Sequence, residues 1–422
     1  MSSVSALFFK LVGFISHALA FLVRTFGSSV RAPMAGETTV SATWLTSALH
    51  VAKTIGTQRF VRSVLLQTVD DNRGLAGVVT KVTAVLDDGS TVPLVVKRSH
   101  NDVGGRTNVA VGCWWREARF LASMARDDTT APFTSSVVAA DWSTLLSEYT
   151  LVMRDLTKAP YECMGVNFKY GNQIWGDKGH KLDDSGVLDL VGRVWLSVAP
   201  MHAKFWNDRS LLAQDWLRGA SWLRGEGQTR WNLSLESTRR CWNNGQAKID
   251  AIRCDARLRA LISRSIAASS FDEFLLHISN TPFTLTHGDF HASNMMVNAK
   301  QQLQLLDWSE VGLCEPGADL GQTLISDVQP HLYTKIRPLL EAYHAALVQH
   351  NRDIDYPLQQ FVDDFGRATI SRWVFMTALL CSFPLPPALL QYFHDNLLAF
   401  TKLYGDLDGT YPLRHMVSIL RE

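Results

Sequence analysis

Between Val61 and Met153 apolar residues fall in short blocks rich in β-branched side chains and separated by turn residues; after Asp155 they recur at helical spacing. The first pattern predicts strands over Val61–Val69, Val78–Leu86, Thr91–Lys97, Ser136–Ala140 and Thr150–Met153, with a helix over Val109–Ala125 between them. Asp87-Asp88-Gly89 is a hairpin turn and Asp70–Gly77 is turn-like. The second pattern predicts helices over Gly186–Trp206, Leu258–Ile278, Tyr333–His350, Gln359–Leu380 and Ala388–Tyr404. Pro282–Asp307 interrupts them with short apolar strands around a polar cluster. A five-stranded part followed by a helical part predicts an α+β, two-lobed chain with a cleft between the lobes. The divisions expected are 1–36, a targeting segment with linker; 37–156, the β-rich lobe; and 157–422, the helical lobe.

Residues 1–36 stand apart. No acid precedes Glu37, and Lys10, His17, Arg24 and Arg31 recur at heptad spacing on one helix stripe. The apolar run is too short and punctuated for a transmembrane span, and Lys10, Ser16 and His17 spoil the centre of a secretory signal. An amphipathic presequence of mitochondrial type, or an interfacial membrane anchor through residues 6–24, fits better. A helix packed on the domain itself is the alternative.

Composition narrows the classes of function. The 422 residues include 46% apolar ones, enough for a sizeable core, and 41 basic against 40 acidic residues give a net charge of +1. So balanced a chain has no field to hold a nucleic-acid backbone, and no nucleic-acid partner is expected. Six cysteines without a CxxC pair suit reduced thiols of an intracellular protein rather than a zinc site.

The chemistry concentrates in Thr286-His287-Gly288-Asp289-Phe290-His291-Ala292-Ser293-Asn294 and Leu305-Leu306-Asp307-Trp308-Ser309. An Asp, an Asn five residues later, and an Asp at the end of an apolar strand form a phosphoryl-transfer layout. Asp289 can accept the proton of an attacking hydroxyl. Asn294 and Asp307 offer the hard oxygens that magnesium needs to screen the phosphates of ATP. His287 and His291 flanking Asp289 also admit a hydrolase metal cluster, but no further His-rich motif completes it. Lys97 ends a strand and Glu117 lies in a helical stretch, as expected of a phosphate-binding lysine and the carboxylate that holds it. Gly74 and Gly77 permit a backbone close to the phosphates. No GxxxxGK[ST] is present, which excludes a P-loop enzyme.

This constellation resembles the aminoglycoside phosphotransferase and choline kinase-like superfamily, with the ecdysteroid kinase-like group as the nearest flavour. The resemblance extends to Pro316-Gly317-Ala318-Asp319-Leu320 and to Met201-His202-Ala203-Lys204-Phe205-Trp206. It implies a bilobal protein-kinase-like fold with Asp289 as catalytic base, Asn294 and Asp307 as metal ligands and Lys97 on phosphate. It also implies a hinge at Leu151–Leu156, where Met153 and Asp155 meet the adenine. The glycine loop is poorer than the family's, and Pro200 is expected to kink the helix that carries His202. A protein kinase would need a long activation segment, yet Pro316 follows Asp307 closely.

The long helical stretch between Asp155 and Asp289 is expected to wall a pocket for a small alcohol or amino-alcohol acceptor. Most of its tryptophans are expected in the core, with Trp216 and Trp222 as acceptor-facing exceptions. Asp363 is a further candidate at the pocket's border. The rival from another class is an inactive nucleotide-binding scaffold of the same fold.

Overall fold

The computed structural model describes residues 11–19, 40–69, 77–100, 102–124, 127–134, 136–166 and 182–413. The chain divides into two compact units. Among the described residues, one comprises those up to Met164 together with Asn298–Ser309, and the other Gly165–Val297 with those from Glu310. The first boundary thus lies at Met164 rather than 156, and a short return segment carries Asp307 into the first unit.

The first unit is built on an antiparallel sheet of five strands, β1 (Val61–Val69), β2 (Val78–Leu86), β3 (Thr91–Arg98), β4 (Val137–Ser143) and β5 (Glu148–Arg154), in the order β1-β2-β3-β5-β4. The β2–β3 turn closes at Gly89, whose φ of 84° suits glycine, with the Asp88 side chain accepting from Ser90 N at 2.8 Å. Helix α1 (Ala42–Val51), capped by Ser41, buries Leu45 and Leu49 against Val82, Ala84, Leu94, Val96 and Val152. Strand alternation then sends Lys97 to the opposite face from Val96.

The single helix expected over Val109–Ala125 is two, α2 (Val103–Gly112) and α3 (Arg116–Ser123). The break is at Cys113, which adopts a left-handed φ of 54° and donates its N–H to Val109 O. The return segment lies on α3, where Trp308 stacks on Phe120 with ring centroids 4.4 Å apart and Arg116 Nη1 donates to Ser309 O at 2.7 Å.

The second unit is mainly helical: α4 (Asp184–Lys204), α5 (Gln228–Asn244), α6 (Ala256–Ala268), α7 (Phe271–Ser279), α8 (Gly317–Asp327), α9 (Arg337–His350), α10 (Leu358–Leu380) and α11 (Pro387–Tyr404). Pro200 sits inside α4, which continues to Lys204. The helix expected over Leu258–Ile278 is split by an extended Ser269, after which the Ser270 side chain caps α7 by accepting from Glu273 N. Every residue of α8 is buried, and α10 packs against it. The short strand Thr284–Thr286 pairs antiparallel with Gly312–Cys314 and delivers the chain to His287.

Candidate active site

In the first unit Lys97, Glu117 and Asp307 form one cluster. Lys97 Nζ lies 2.7 Å from Glu117 Oε2 and 2.9 Å from Asp307 Oδ1, with Lys97 and Glu117 almost wholly buried. Burial alone would lower the Lys97 pKa. The Asp307 and Glu117 carboxylates outweigh it and hold the ammonium charged well above its usual range. Burial pushes Glu117 up while Lys97 opposes it. The second Glu117 oxygen accepts from Trp308 N at 3.2 Å, so one carboxylate fixes both the lysine and the residue after Asp307. Asp307 has a φ of 58°, an uncommon conformation of the kind found at functional turns.

In the second unit the loop from His287 to Asn294 is held from below. Asp319, buried in α8, accepts from His287 N at 2.7 Å and from Gly288 N at 2.9 Å. Its other neighbour is His202 at the end of α4, with Nε2 3.7 Å away and Nδ1 2.6 Å from Tyr343 Oη. Burial works against the Asp319 charge, but His202, His287 and the loop amide outweigh it and lower its pKa. Gly288 has a φ of 82°, and a side chain there would collide with Glu310 O.

Asp289 is half-buried at the loop's turn. His291 Nε2 and Asn294 Nδ2 approach Oδ2 at 3.3 and 3.1 Å, and Gln322 Nε2 approaches Oδ1 at 3.4 Å. Desolvation opposes its charge, but His291, Arg372 and His287 prevail and keep the carboxyl below the ordinary carboxylate range. The Asn294 amide nitrogen also donates to Asp289 O at 3.0 Å, so its contacts to Asp289 engage the nitrogen and leave the oxygen, the atom a hard cation needs.

Two further residues position this loop. Arg372, buried in α10, donates Nη2 to Gly288 O and Nε to Gln322 Oε1, both at 2.6 Å. Asp327, at the end of α8, accepts from Ala292 N at 2.9 Å. Sequence reading missed both. A signal existed for Arg372: it is the only charged residue of α10 after Arg367.

The remaining expected residues lie as follows. Gly77 stands at the start of β2, where a side chain would meet Arg98 O, and Gly74 falls outside the described residues. Met153 pairs with Val95 across β5 and β3. Asp155 is buried, its Oδ1 accepting from Thr157 N and Oγ1 at 3.0 and 2.7 Å. Trp216 is buried, with Nε1 donating to Gln214 at 2.8 Å. Trp222 meets Phe274 edge-on and lines a pocket with Arg218, Leu313 and Glu315. Asp363 is exposed and accepts from Gln359 Nε2 at 2.9 Å. Trp195, Trp231 and Trp242 are core residues. Among the described residues no group of three His, Cys, Asp or Glu forms a metal cluster.

Comparison with known proteins agrees with the sequence reading. Residues 237–356 match the model of the Ecdysteroid kinase-like family, a span that includes Asp289, Asn294, Asp307 and Asp319. Similar solved structures include a macrolide 2'-phosphotransferase from Brachybacterium faecium, at 16% identity and a TM-score of 0.40, covering 84% of this chain and 97% of that one. A Plasmodium vivax ethanolamine kinase aligns at 11% identity and a TM-score of 0.43, covering 89% and 96%. A choline/ethanolamine kinase family protein from Mesorhizobium loti aligns at 13% and 0.40, covering 80% and 88%. No curated protein matches the chain. The described residues have the expected α+β character, a β-sheet part followed by a mainly helical part. Over residues 237–356 the chain is thus similar to the ecdysteroid kinase-like family.

Proposed function

We propose that the protein transfers a phosphoryl group from ATP to a hydroxyl of a small molecule. The observation that carries this reading is the Lys97 ammonium held between Glu117 and Asp307 at 2.7 and 2.9 Å. A buried lysine fixed by two carboxylates presents a permanent positive charge, the requirement for orienting a nucleotide's phosphates. Inactive scaffolds have no need to keep that cluster together with Asp289 and Asn294.

Asn294 and Asp307 each carry a donor that suits magnesium, an amide oxygen and a carboxylate. The bound metal would neutralise charge on the transferring phosphate. Asp289 accepts the acceptor hydroxyl's proton at a carboxylate oxygen, and His291, Asn294 and Gln322 aim that carboxylate. A carboxylate of lowered pKa is a weak base, so it takes the proton late, as the new O–P bond forms. The pocket lined by Arg218, Trp222, Phe274 and Glu315 is our candidate for the acceptor's apolar portion. Arg218 also approaches Gly288, next to the base.

The test is transfer from labelled ATP to a panel of alcohols and amino alcohols, by the natural protein and by Asp289→Asn. General-base assistance is worth about 10²–10⁴-fold, so turnover should fall by that factor while nucleotide binding persists. Activity within about twofold of the natural protein would remove Asp289 from the role.

A further inference from the structure

We propose that the outer face of the helical stretch 11–19 docks the protein on an anionic lipid membrane. The stretch is two-sided. Ser16 is 2% exposed, and its Oγ donates to Leu145 O at 2.9 Å and lies 3.0 Å from Ser147 Oγ. Gly13 sits so close to Thr107 that a side chain would collide with it and approach Val103 O to 2.9 Å. That side is a fitted seat on the first unit. The other side carries Leu11, Phe14 and Ile15, exposed at 52, 61 and 47%. Their spacing places them on one stripe, directed away from the seat.

Three large apolar side chains turned outward from a seated helix need an occupant. The charge of the surrounding sequence selects it. Residues 1–36 contain Lys10, Arg24 and Arg31 and no acid. Two copies of so basic and acid-free a segment of sequence would repel each other, whereas anionic headgroups attract it while the apolar stripe enters the acyl boundary. Among the described residues no helix is long and apolar enough to cross a membrane. The seat also means that the stretch acts as part of the folded protein and carries the whole of it to the lipid.

The experiment uses the full chain and vesicles of phosphatidylcholine alone or mixed with phosphatidylserine, with co-sedimentation at low and high salt. Binding to the mixed vesicles is expected, weakened by salt. The triple variant Leu11→Ser, Phe14→Ser, Ile15→Ser should lower it by about tenfold or more with the unfolding midpoint unchanged. Phe14→Ser alone, at the most exposed position, is the second variant should the triple one prove unstable, and it too should weaken binding. Absence of binding to mixed vesicles, or equal binding by the variants, overturns the proposal. A dimer in solution that the triple variant dissolves also overturns it, because the face then belongs to a second copy.

Discussion

Asp327 offers a test of the loop's electrostatics that needs no substrate. Its carboxyl is wholly buried; Oδ2 accepts from Ala292 N, and Oδ1 has no hydrogen-bond partner among the described residues. Burial, with help from the Asp289 charge, pushes it up to about 7, against the opposing pull of His291 and the Ala292 amide. An unfolded aspartate titrates at 3.8. Between those two values the folded protein binds a proton that the unfolded chain lacks, so stability falls as pH rises across the window and levels off above it. At about 1.4 kcal/mol per pH unit the total loss is on the order of 4 kcal/mol at most. Asp327→Asn keeps an oxygen for the Ala292 amide and carries no charge. The variant should exceed the natural protein by roughly 1–2 kcal/mol near pH 5 and by roughly 4 kcal/mol near pH 8. Urea unfolding at the two pH values measures both numbers. A variant whose stability tracks the natural protein across the window, or that is weaker at the upper end, would refute the reasoning, since the buried charge would then not be the source of the loss.

Other perturbations separate the parts of the site. Under the proposed assignment Asp307→Ala should abolish the magnesium dependence of nucleotide binding by removing a carboxylate ligand; calorimetry with and without magnesium reads this, and unchanged dependence places the metal elsewhere. Arg372→Met removes two hydrogen bonds from a charged donor, each worth about 1.5–3 kcal/mol, and should lower the unfolding free energy by a few kcal/mol and reduce turnover together. An Arg372→Met protein with unaltered stability and turnover would show that α10 does not position the loop.

The five strands were legible because each is a short β-branched block bounded by turn residues, and β1 and β2 occupy the predicted spans. The helix breaks were harder. Apolar periodicity runs on through Cys113 and Ser269, and the interruption comes from local backbone chemistry instead. At Ser269 a signal was present, since Ser270-Phe271-Asp272-Glu273 has the spacing of a capping box. At Cys113 a left-handed cysteine gives none. Lys97, Glu117, Asp289, Asn294 and Asp307 could be singled out from sequence because the roles proposed for them demand fixed residue types in a fixed order. Their supports were less so: Arg372 showed only as an isolated charge and Asp327 not at all, because both act on loop atoms far away in sequence, and only folding reveals that α8 and α10 meet beneath Gly288 and Ala292.

The placement of these groups also says how catalysis and binding should divide. Phosphoryl transfer asks little covalent chemistry of a protein and much positioning. Lys97, Glu117 and Asp307 are positioned wholly within the first unit, by β3, α3 and the return segment. Asp289 and Asn294 are positioned wholly within the second, by their own loop, α8 and α10. Substitutions in the first set should thus act mainly on nucleotide affinity, and substitutions around Asp289 mainly on turnover.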